Sequence, residues 1–89
     1  MLNKIKLSLR ISDSDLDTDI QQNIDSCICD MYRVGVIIPE NPENDPLIVK
    51  AVDLYIKQQY DYMGKGEEYG KNYSKLRDAL SLYEKYRGE

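Results

Sequence analysis

The sequence predicts an all-α protein, a small bundle of about four helices that forms a single domain over residues 1–89. Three observations support this fold class. Apolar residues recur every three or four positions along most of the chain, which is the period of an amphipathic helix. Asp45 followed by Pro46 is a strong helix start. Gly35 and the 64–66 segment stand where helical patterns stop.

The first segment, residues 1–11, fits two patterns. The apolar residues that alternate with polar neighbours, as in a strand, are Ile5, Leu7, Leu9 and Ile11. Leu2, Ile5 and Leu9 would also share one face of a short helix. A lone strand needs a partner, and the only obvious one is 34–38. We favour a helix near residues 2–10 because the rest of the chain is helical, while the alternation leaves a strand open.

The second helix is predicted over residues 15–33. The Ser- and Asp-rich segment 12–19 precedes and opens it, and such residues cap helices and suit the positive end of the helix dipole. Ser12 with Asp15, and Ser14 with Asp17, have the spacing of a capping box. The predicted apolar face consists of Leu16, Ile20, Ile24, Cys27, Ile28 and Met31.

A loop is predicted between Gly35, a plausible helix stop, and the next helix. It covers residues 36–45 and is rich in proline. Pro39, Pro42 and Pro46 fall within eight residues, and proline restricts the backbone. We therefore expect a stiff, extended connection rather than a floppy one.

The third helix is predicted over residues 46–63. Asp45 can cap its free N–H groups, and Pro46 lacks the N–H that would otherwise be orphaned. An almost continuous apolar run follows, while the charges fall in one line formed by Lys50, Asp53, Lys57 and Asp61. One charged stripe on a mostly apolar helix indicates a helix surrounded by protein. Because the chain is short, partner subunits are a natural source of that cover.

The fourth helix is predicted over residues 67–87, after a break at 64–66. Its apolar face consists of Tyr69, Tyr73, Leu76, Leu80 and Tyr83, widened by Ala79, Leu82 and Tyr86. Glu67 and Lys71 form an i,i+4 pair in the favoured order.

The charge distribution argues against tight DNA binding. The formal net charge is −4, and residues 1–45 carry 4 basic and 9 acidic side chains, whereas residues 46–89 carry 8 and 7. Tight binding to DNA depends on phosphate neutralisation by basic groups. The basic residues of the last helix alternate with acidic ones, as on a solvated helix face.

Few residues suit catalysis, so we predict that the protein is not an enzyme and needs no cofactor. The chain contains no histidine, the usual general base near neutral pH. The 64–66 segment, Gly-Lys-Gly, is too short for a phosphate-binding loop and lacks a following Ser or Thr.

Metal binding is not expected either. A calcium-binding EF-hand loop that began at Asp13 would need Gly at its sixth position and Glu at its twelfth, where Thr18 and Ile24 stand. Cys27 and Cys29 lie two positions apart in a helical pattern and so point to different faces. We interpret both cysteines as structural.

No membrane role is expected, because no apolar run approaches the length of a membrane span. The polar first residues do not resemble a signal peptide, which favours a cytoplasmic location.

The aromatic residues are all tyrosines, eight in number, with no Phe and no Trp. A ring with a polar hydroxyl suits half-buried positions and interfaces. The residues proposed for a subunit or portal interface are Tyr55, Tyr60, Tyr62, Tyr83 and Tyr86. The equally weighted alternative is a small core whose edges are completed by tyrosine.

Taken together, these features resemble the small helical head–tail connector, or DNA-packaging, proteins of long-tailed phages and prophages. The resemblance covers nearly the whole chain in length and order. Its segments are residues 5–11, the acidic run 13–19, the helix with Ile20, Ile24 and Ile28, residues 45–52, residues 60–62 and residues 80–87. Two departures concern the polar pair Gln58 and Gln59, where apolar packing is expected, and the length of the 64–66 segment.

The resemblance implies a structural virion protein without catalysis or cofactor. Such a subunit would form a homo-oligomeric ring of about a dozen copies. The ring would dock beneath the portal protein at the head–tail junction, after assembly in the host cytoplasm, and bind the next connector or tail protein. DNA would pass through its channel without tight binding, since acidic walls repel the backbone. The candidate channel-lining residues are Asp13, Asp15, Asp17 and Asp19, with a second acidic segment at 40–45.

Two other classes of function remain open. A small helical regulator, or antitoxin-like module, would form a dimer with an apolar groove and bind one partner, although a basic recognition helix is missing. An enzyme accessory or metal-binding domain would reveal itself by binding calcium, magnesium or zinc in calorimetry.

Overall fold

Four α-helices make up most of the protein in a computed structural model, which describes residues 1–87. The helices are α1 (Leu2–Leu9), α2 (Asp17–Arg33), α3 (Pro46–Gln59) and α4 (Gly66–Leu80). Single 3₁₀ turns lie at Pro42–Asn44, Tyr62–Gly64 and Glu84–Tyr86. No strand occurs in this part of the chain, so the predicted all-α bundle is confirmed. Gly88 and Glu89, the end of the predicted domain, lie outside the described residues.

The first segment is helical, as favoured, and the strand alternative is wrong. Ile5 and Leu9 of α1 are buried, while Leu7 is exposed, which is the outcome expected for helical and not alternating burial. The helix ends where Arg10 adopts a left-handed conformation with φ 60°. This turn lets the N–H groups of Arg10 and Ile11 bond to carbonyl groups of the last helical turn.

The start of α2 differs from the prediction. The helix begins at Asp17 instead of residue 15, its N-cap is Leu16, and no side chain caps it. The predicted capping boxes do not form, because the Asp13 carboxylate instead accepts a hydrogen bond from the backbone N–H of Asp15, at 3.1 Å. This local turn competes with the first helical turn. Asp17 and Asp19 still place negative charge at the positive end of the helix.

The end of α2 follows the prediction. Gly35 has φ +98°, which a residue with a side chain rarely adopts, and it reverses the chain just after the helix. Its N–H donates to Tyr32, and the N–H of Val36 donates to Met31, both at 3.0 Å. This pair of bonds satisfies the last carbonyl groups and directs Val36 into the core.

Helix α3 is the central element, since it packs against α1, α2 and α4. Asp45 caps it as predicted, accepting hydrogen bonds from the N–H groups of Leu47 at 3.0 Å and Ile48 at 3.4 Å. Along the predicted charged stripe, Lys57 lies 3.0 Å from Asp53, and this ion pair is largely buried. The other helices of the same chain therefore cover much of the apolar surface of α3.

The end of α3 comes at Gln59, four residues before the predicted end at residue 63. Asp61 and Met63 both have positive φ values, 48° and 54°, so the helix cannot continue through them. The Asp61 carboxylate accepts a hydrogen bond from the N–H of Gly66, at 2.8 Å, and this bond stabilises the turn into α4.

Helix α4 ends at Leu80, seven residues before the predicted end at residue 87. The chain turns after Ser81 and continues into the 3₁₀ turn Glu84–Tyr86. The turn buries the ring of Tyr86, whose backbone carbonyl accepts a 2.6 Å hydrogen bond from Ile37. A straight α4 could not make these contacts, so tertiary packing overrides the local helical pattern.

The core is a single apolar cluster with side chains from all four helices, from Val36 and from Tyr86. Its helical members are Ile5 and Leu9 of α1; Ile20, Ile24, Cys27 and Met31 of α2; Ile48, Ala51, Val52, Leu54 and Ile56 of α3; and Tyr73 and Leu80 of α4. In residues 1–87, no helix has the length and apolar character needed to cross a membrane.

Close packing between the end of α3 and the start of α4 gives a stability prediction. A Cβ atom at Gly66 would lie 2.7 Å from the Asp61 carboxylate and 3.0 Å from its Cα atom, which is backbone and cannot swing aside. We expect Gly66→Ala to lower the free energy of unfolding by about 1–3 kcal/mol, as overpacking does. Urea denaturation monitored by circular dichroism measures the change.

Gly70→Ala is the matched control. The three atoms nearest to a Cβ atom at Gly70 all belong to the side chain of Gln58, which is exposed and can move. Alanine also favours a helix over glycine by about 1 kcal/mol. Gly70→Ala should therefore be neutral or slightly stabilising, and equal losses in the two variants would contradict the steric explanation.

Candidate assembly surface

The five tyrosines expected at an interface lie in very different surroundings. Tyr86 is only 1% exposed. Its hydroxyl donates a 2.7 Å hydrogen bond to Asp45, whose carboxylate also caps α3 and lies 3.1 Å from the Lys85 ammonium. Burial and the bond to Asp45 raise the pKa of Tyr86. This ring is a structural element of the core and presents little surface to a partner.

Tyr55 is half-buried on α3. Its ring meets the ring of Tyr73 edge to face, with centroids 5.2 Å apart and planes at 69°. This geometry is the favourable one for aromatic pairs and joins α3 to α4. Burial raises the pKa of Tyr55, with a further contribution from Asp30 and Cys27 nearby.

Tyr60 connects the end of α3 to the start of α2. Its hydroxyl donates a short hydrogen bond to the Asp19 carboxylate and accepts one from the Asn23 amide at 3.4 Å. Burial and the bond to Asp19 raise the pKa of Tyr60. Tyr60 was predicted as an interface residue and Asp19 as a channel residue. In the structure their side chains form a hydrogen bond with each other within one chain.

Tyr62 is half-buried in the turn between α3 and α4. Its ring centroid lies 6.4 Å from that of Tyr69. The Lys57 ammonium lies over both rings, 5.4 Å from Tyr62 and 5.6 Å from Tyr69. Such cation–π contacts stabilise the turn.

Tyr83 is the most accessible of the five, with half of its surface exposed. It lies in the segment that follows α4, beside Leu82, which is also exposed. The ring of Tyr83 contacts the buried Tyr86, with centroids 6.4 Å apart. One side of Tyr83 therefore packs against Tyr86, while the other side is exposed to solvent. This combination suits an aromatic residue at an interface.

The four acidic candidates also separate into two kinds. Asp17 lies 2.7 Å from the Lys6 ammonium and joins α1 to α2, while Asp19 is bonded to Tyr60. Asp13 and Asp15 are exposed. The Asp13 carboxylate accepts a hydrogen bond from the backbone N–H of Asp15, and both carboxylates remain accessible to solvent. The four residues lie between the end of α1 and the first turn of α2, and Asp17 and Asp19 have side-chain partners from other elements.

Leu16 and Leu82, predicted on the apolar faces of the second and fourth helices, belong to a set of apolar side chains whose exposure the sequence did not reveal. The members of the set are Leu7, Leu16, Tyr32, Ile37, Leu47, Met63 and Leu82. Tyr32 is 67% exposed, although it follows Met31, the last residue of the buried face of α2. Ile37 belongs to the apolar segment 36–38, which the sequence analysis placed in the loop. Only the structure separates Val36, which is buried, from Ile37, which is exposed.

A polar network joins α2 to α4 around Asp30, which the sequence placed away from the apolar face. The Asp30 carboxylate accepts hydrogen bonds from Arg33 at 2.7 Å, Tyr73 at 2.7 Å and Arg77 at 2.9 Å. Burial alone would raise the pKa of Asp30, but these donors outweigh it and lower the pKa to about 2. Burial and the bond to Asp30 raise the pKa of Tyr73 well above its usual value.

The Asp30 network predicts acid sensitivity. Because the pKa of Asp30 is lower in the folded than in the unfolded chain, the stabilisation that Asp30 provides is complete above about pH 4. This stabilisation is lost as the pH falls towards 2. We expect a loss of about 1–2 kcal/mol over that range, allowing for the partial exposure of the carboxylate. Asp30→Asn should be less stable at pH 7 and show a flatter decline in acid, measured by urea denaturation at each pH. A decline as steep as in the unchanged protein would contradict this role.

The potential metal ligands and the two cysteines complete the description of the reactive side chains. Within residues 1–87, the structure gathers no set of three or more His, Cys, Asp or Glu side chains that could hold a metal ion. Cys27 is buried, and burial raises the pKa of its thiol to about 12, so the reactive thiolate is disfavoured. Cys29 is an exposed free thiol.

Comparison with known proteins places the chain in a family. The family model described as phage connector protein matches residues 1–87. No curated protein and no solved structure matches the chain. The match covers nearly the whole sequence and all four helices. This chain belongs to the phage connector protein family.

Proposed function

We propose that this chain, a structural connector protein of the phage head–tail junction, acts as one subunit of a ring that docks beneath the portal protein. The observation that carries the proposal is the family match over residues 1–87. The ring would extend the DNA channel of the filled head and present a platform to the next connector or tail protein. Subunits would assemble in the host cytoplasm.

Exposed apolar side chains support self-assembly. They project from α1, from both ends of α2, from the start of α3 and from the segment after α4. Contiguous exposed apolar surface marks interaction sites, and here Tyr32 lies with Ile37 while Leu82 lies beside Tyr83. Contacts between two different surfaces of identical subunits are heterologous, and they close into a ring when the rotation permits.

The five tyrosines would contribute unequally to the proposed interface. Tyr83 is the strongest candidate for contact with the portal protein or a neighbour, because half of the residue's surface is exposed and Leu82 lies beside it. Tyr55, Tyr60 and Tyr62 have internal contacts and would add only their outer edges. Tyr86 would act indirectly by holding the segment that carries Tyr83.

The channel lining is proposed to come from the connection between α1 and α2. Asp13 and Asp15 are exposed and have no basic residue within the 12–19 segment. Carboxylates that face a channel repel the phosphate backbone, so DNA slides through without being held. In this position, part of the negative charge of the protein would keep DNA from binding to the channel wall.

The decisive experiment mixes the purified chain with the portal protein of the same virus. We expect native mass spectrometry and electron microscopy to show a ring of about a dozen chains attached to the portal. The chain alone should show no affinity for short duplex DNA at moderate salt. A stable dimer that never forms a ring, even with the portal present, would contradict the proposal. It would favour the regulatory, antitoxin-like alternative.

Deletion of the gene from its phage or prophage tests the role in the virion. We expect heads that have packaged DNA but carry no tails, and recovery of complete particles when the gene is supplied from a plasmid. Normal tailed particles without the protein would exclude a connector role.

A further inference from the structure

The segment after α4, residues 81–87, forms a strap that folds back onto the body of the protein. The Tyr86 side chain near its end is 1% exposed, and the hydroxyl donates a 2.7 Å hydrogen bond to the buried Asp45 carboxylate. The Tyr86 carbonyl accepts a 2.6 Å hydrogen bond from the N–H of Ile37. We call these contacts of Tyr86 the latch, because they fix the far end of the strap.

The local sequence contains no signal that ends α4 at Leu80. Residues 71–87 contain no glycine and no proline, the usual helix terminators. Tyr83 and Tyr86 continue the apolar spacing of the helix. Lys85 would lie in the last turn of a longer helix, where a positive charge is favourable. The strap therefore has a helical pattern that tertiary contacts override, which is a conflict between local and global preferences.

The backbone of the strap departs from the helical conformation at Tyr83. Its angles, φ −80° and ψ 133°, are extended, whereas Ser81 before it and Arg87 after it have right-handed helical angles. The turn between them, Glu84–Tyr86, is 3₁₀, with angles close to those of an α-helix. Rotation of ψ at Tyr83 to about −42° is therefore the main change that would align the strap with α4. The helix would become about 10 Å longer.

Backbone hydrogen bonds also distinguish the two arrangements. In the strap, the N–H groups of Glu84 and Lys85 donate no backbone hydrogen bond within residues 1–87. In a longer α4 they would donate to the carbonyl groups four positions earlier. The N–H of Ile37 would change in the opposite sense, because it would lose the Tyr86 carbonyl. Each arrangement therefore protects a different set of N–H groups from hydrogen exchange.

We infer that the strap is a conformational switch: when the latch opens, Tyr83 becomes helical and α4 continues to Arg87. The two arrangements exchange burial of the Tyr86 side chain for additional helical hydrogen bonds, as two packings of one sequence can. The closed strap is the arrangement in which Leu82 and Tyr83 have the exposed positions described above. The latch would therefore control the position of the strongest candidate for partner contact. The switch belongs to the free chain and does not depend on the ring.

Replacement of the latch residue tests the open arrangement. Tyr86→Ala removes the buried ring and its hydroxyl, and alanine favours a helix. By NMR on the free chain, we expect amide exchange to be at least about twofold slower at Glu84 and Lys85 but faster at Ile37. The Cα chemical shift of Tyr83 should move to a helical value. A strap that frays would exchange faster at all three positions. Unchanged or faster exchange at Glu84 and Lys85 would overturn the inference.

Glu84→Pro tests the switch in a variant that keeps the closed strap. Glu84 is exposed, begins the 3₁₀ turn and uses no backbone N–H there, which suits proline. Tyr83 already has the extended backbone that a residue before proline prefers. A continued α4 is excluded, because the proline ring would clash with the carbonyl of Leu80. If the strap opens by forming a helix, exchange at Ile37 should become several-fold slower in this variant.

Glu84→Ala is the matched control, since it removes the same carboxylate but permits both arrangements. Exchange at Ile37 should be as fast as in the unchanged protein, or faster. Equal slowing in the alanine and proline variants would assign the effect to the lost carboxylate and overturn the inference. Unaltered exchange at Ile37 in Glu84→Pro would also overturn it. None of these measurements involves the portal protein, so failure of the switch would leave the connector role intact.

Discussion

Asp45→Ala is expected to destabilise the protein by about 3 kcal/mol. Part of this loss, about 1 kcal/mol, comes from the missing cap of α3, because Leu47 and Ile48 donate to the Asp45 carboxylate. The larger part, about 1–3 kcal/mol, comes from the Tyr86 hydroxyl, which would remain buried without its acceptor. Because small domains are stable by only about 5–15 kcal/mol, such a loss is large. Urea denaturation monitored by circular dichroism measures it.

Two conservative variants separate the contributions. Asp45→Asn keeps a side-chain oxygen that can cap α3, so we expect a smaller loss than for alanine. Tyr86→Phe removes the buried hydroxyl together with its need for a partner and should cost about 1 kcal/mol. In Asp45→Ala, hydrogen exchange at the N–H of Ile37 should become faster, because its acceptor is the carbonyl of Tyr86. Equal losses in Asp45→Ala and Asp45→Asn would show that the charge, and not the cap, matters.

Local signals in the sequence predicted much of the fold. The Asp45–Pro46 start and the Gly35 stop depend on a few adjacent residues, and both occur in the structure as predicted. The amphipathic face of α2 was also correct in its buried members, Ile20 to Met31. Such features are determined by backbone chemistry and by a regular pattern over a short distance.

The incorrect end of α4 depends on a contact between distant residues, whereas the incorrect end of α3 depends on a local turn. Helix α4 stops at Leu80 because burial of Tyr86 against Asp45, 41 positions away, outweighs the continued helical pattern. Helix α3 stops early because Asp61 adopts a left-handed conformation and accepts a hydrogen bond from Gly66. Neither event leaves a signal in the local hydrophobic period.

The sequence selected tyrosines and aspartates as candidates but could not predict their surroundings. Tyrosine does suit half-buried surroundings, yet the sequence could not show that Tyr86 lies in the core while Tyr83 remains open. Nor could it show that Tyr60 and Asp19 bond to each other. The exposed positions of Tyr32 and Ile37 depend on the turn at Gly35, which rotates the two residues to one side of the bundle.

Reversal of the charge at Asp13 and Asp15 has the largest expected effect on function. The double variant Asp13→Lys/Asp15→Lys raises the formal net charge of the chain from −4 to 0 and adds two ammonium groups per subunit. If these positions line the channel, the ring would present about two dozen cations to DNA. We expect the ring to bind short duplex DNA, where the unchanged ring does not. Engagement of even two phosphates would weaken the binding about tenfold between 50 and 200 mM salt.

A matched variant shows whether position matters as well as charge. Glu67→Lys/Glu68→Lys makes the same change in net charge at two exposed residues in the first turn of α4, away from the 13–19 segment. Fluorescence anisotropy with labelled duplex DNA should detect much weaker binding by this ring, because scattered outer charges cannot surround the duplex. Equal affinities for the two rings would mean that net charge alone governs DNA contact, and Asp13 and Asp15 would lose their assignment to the channel.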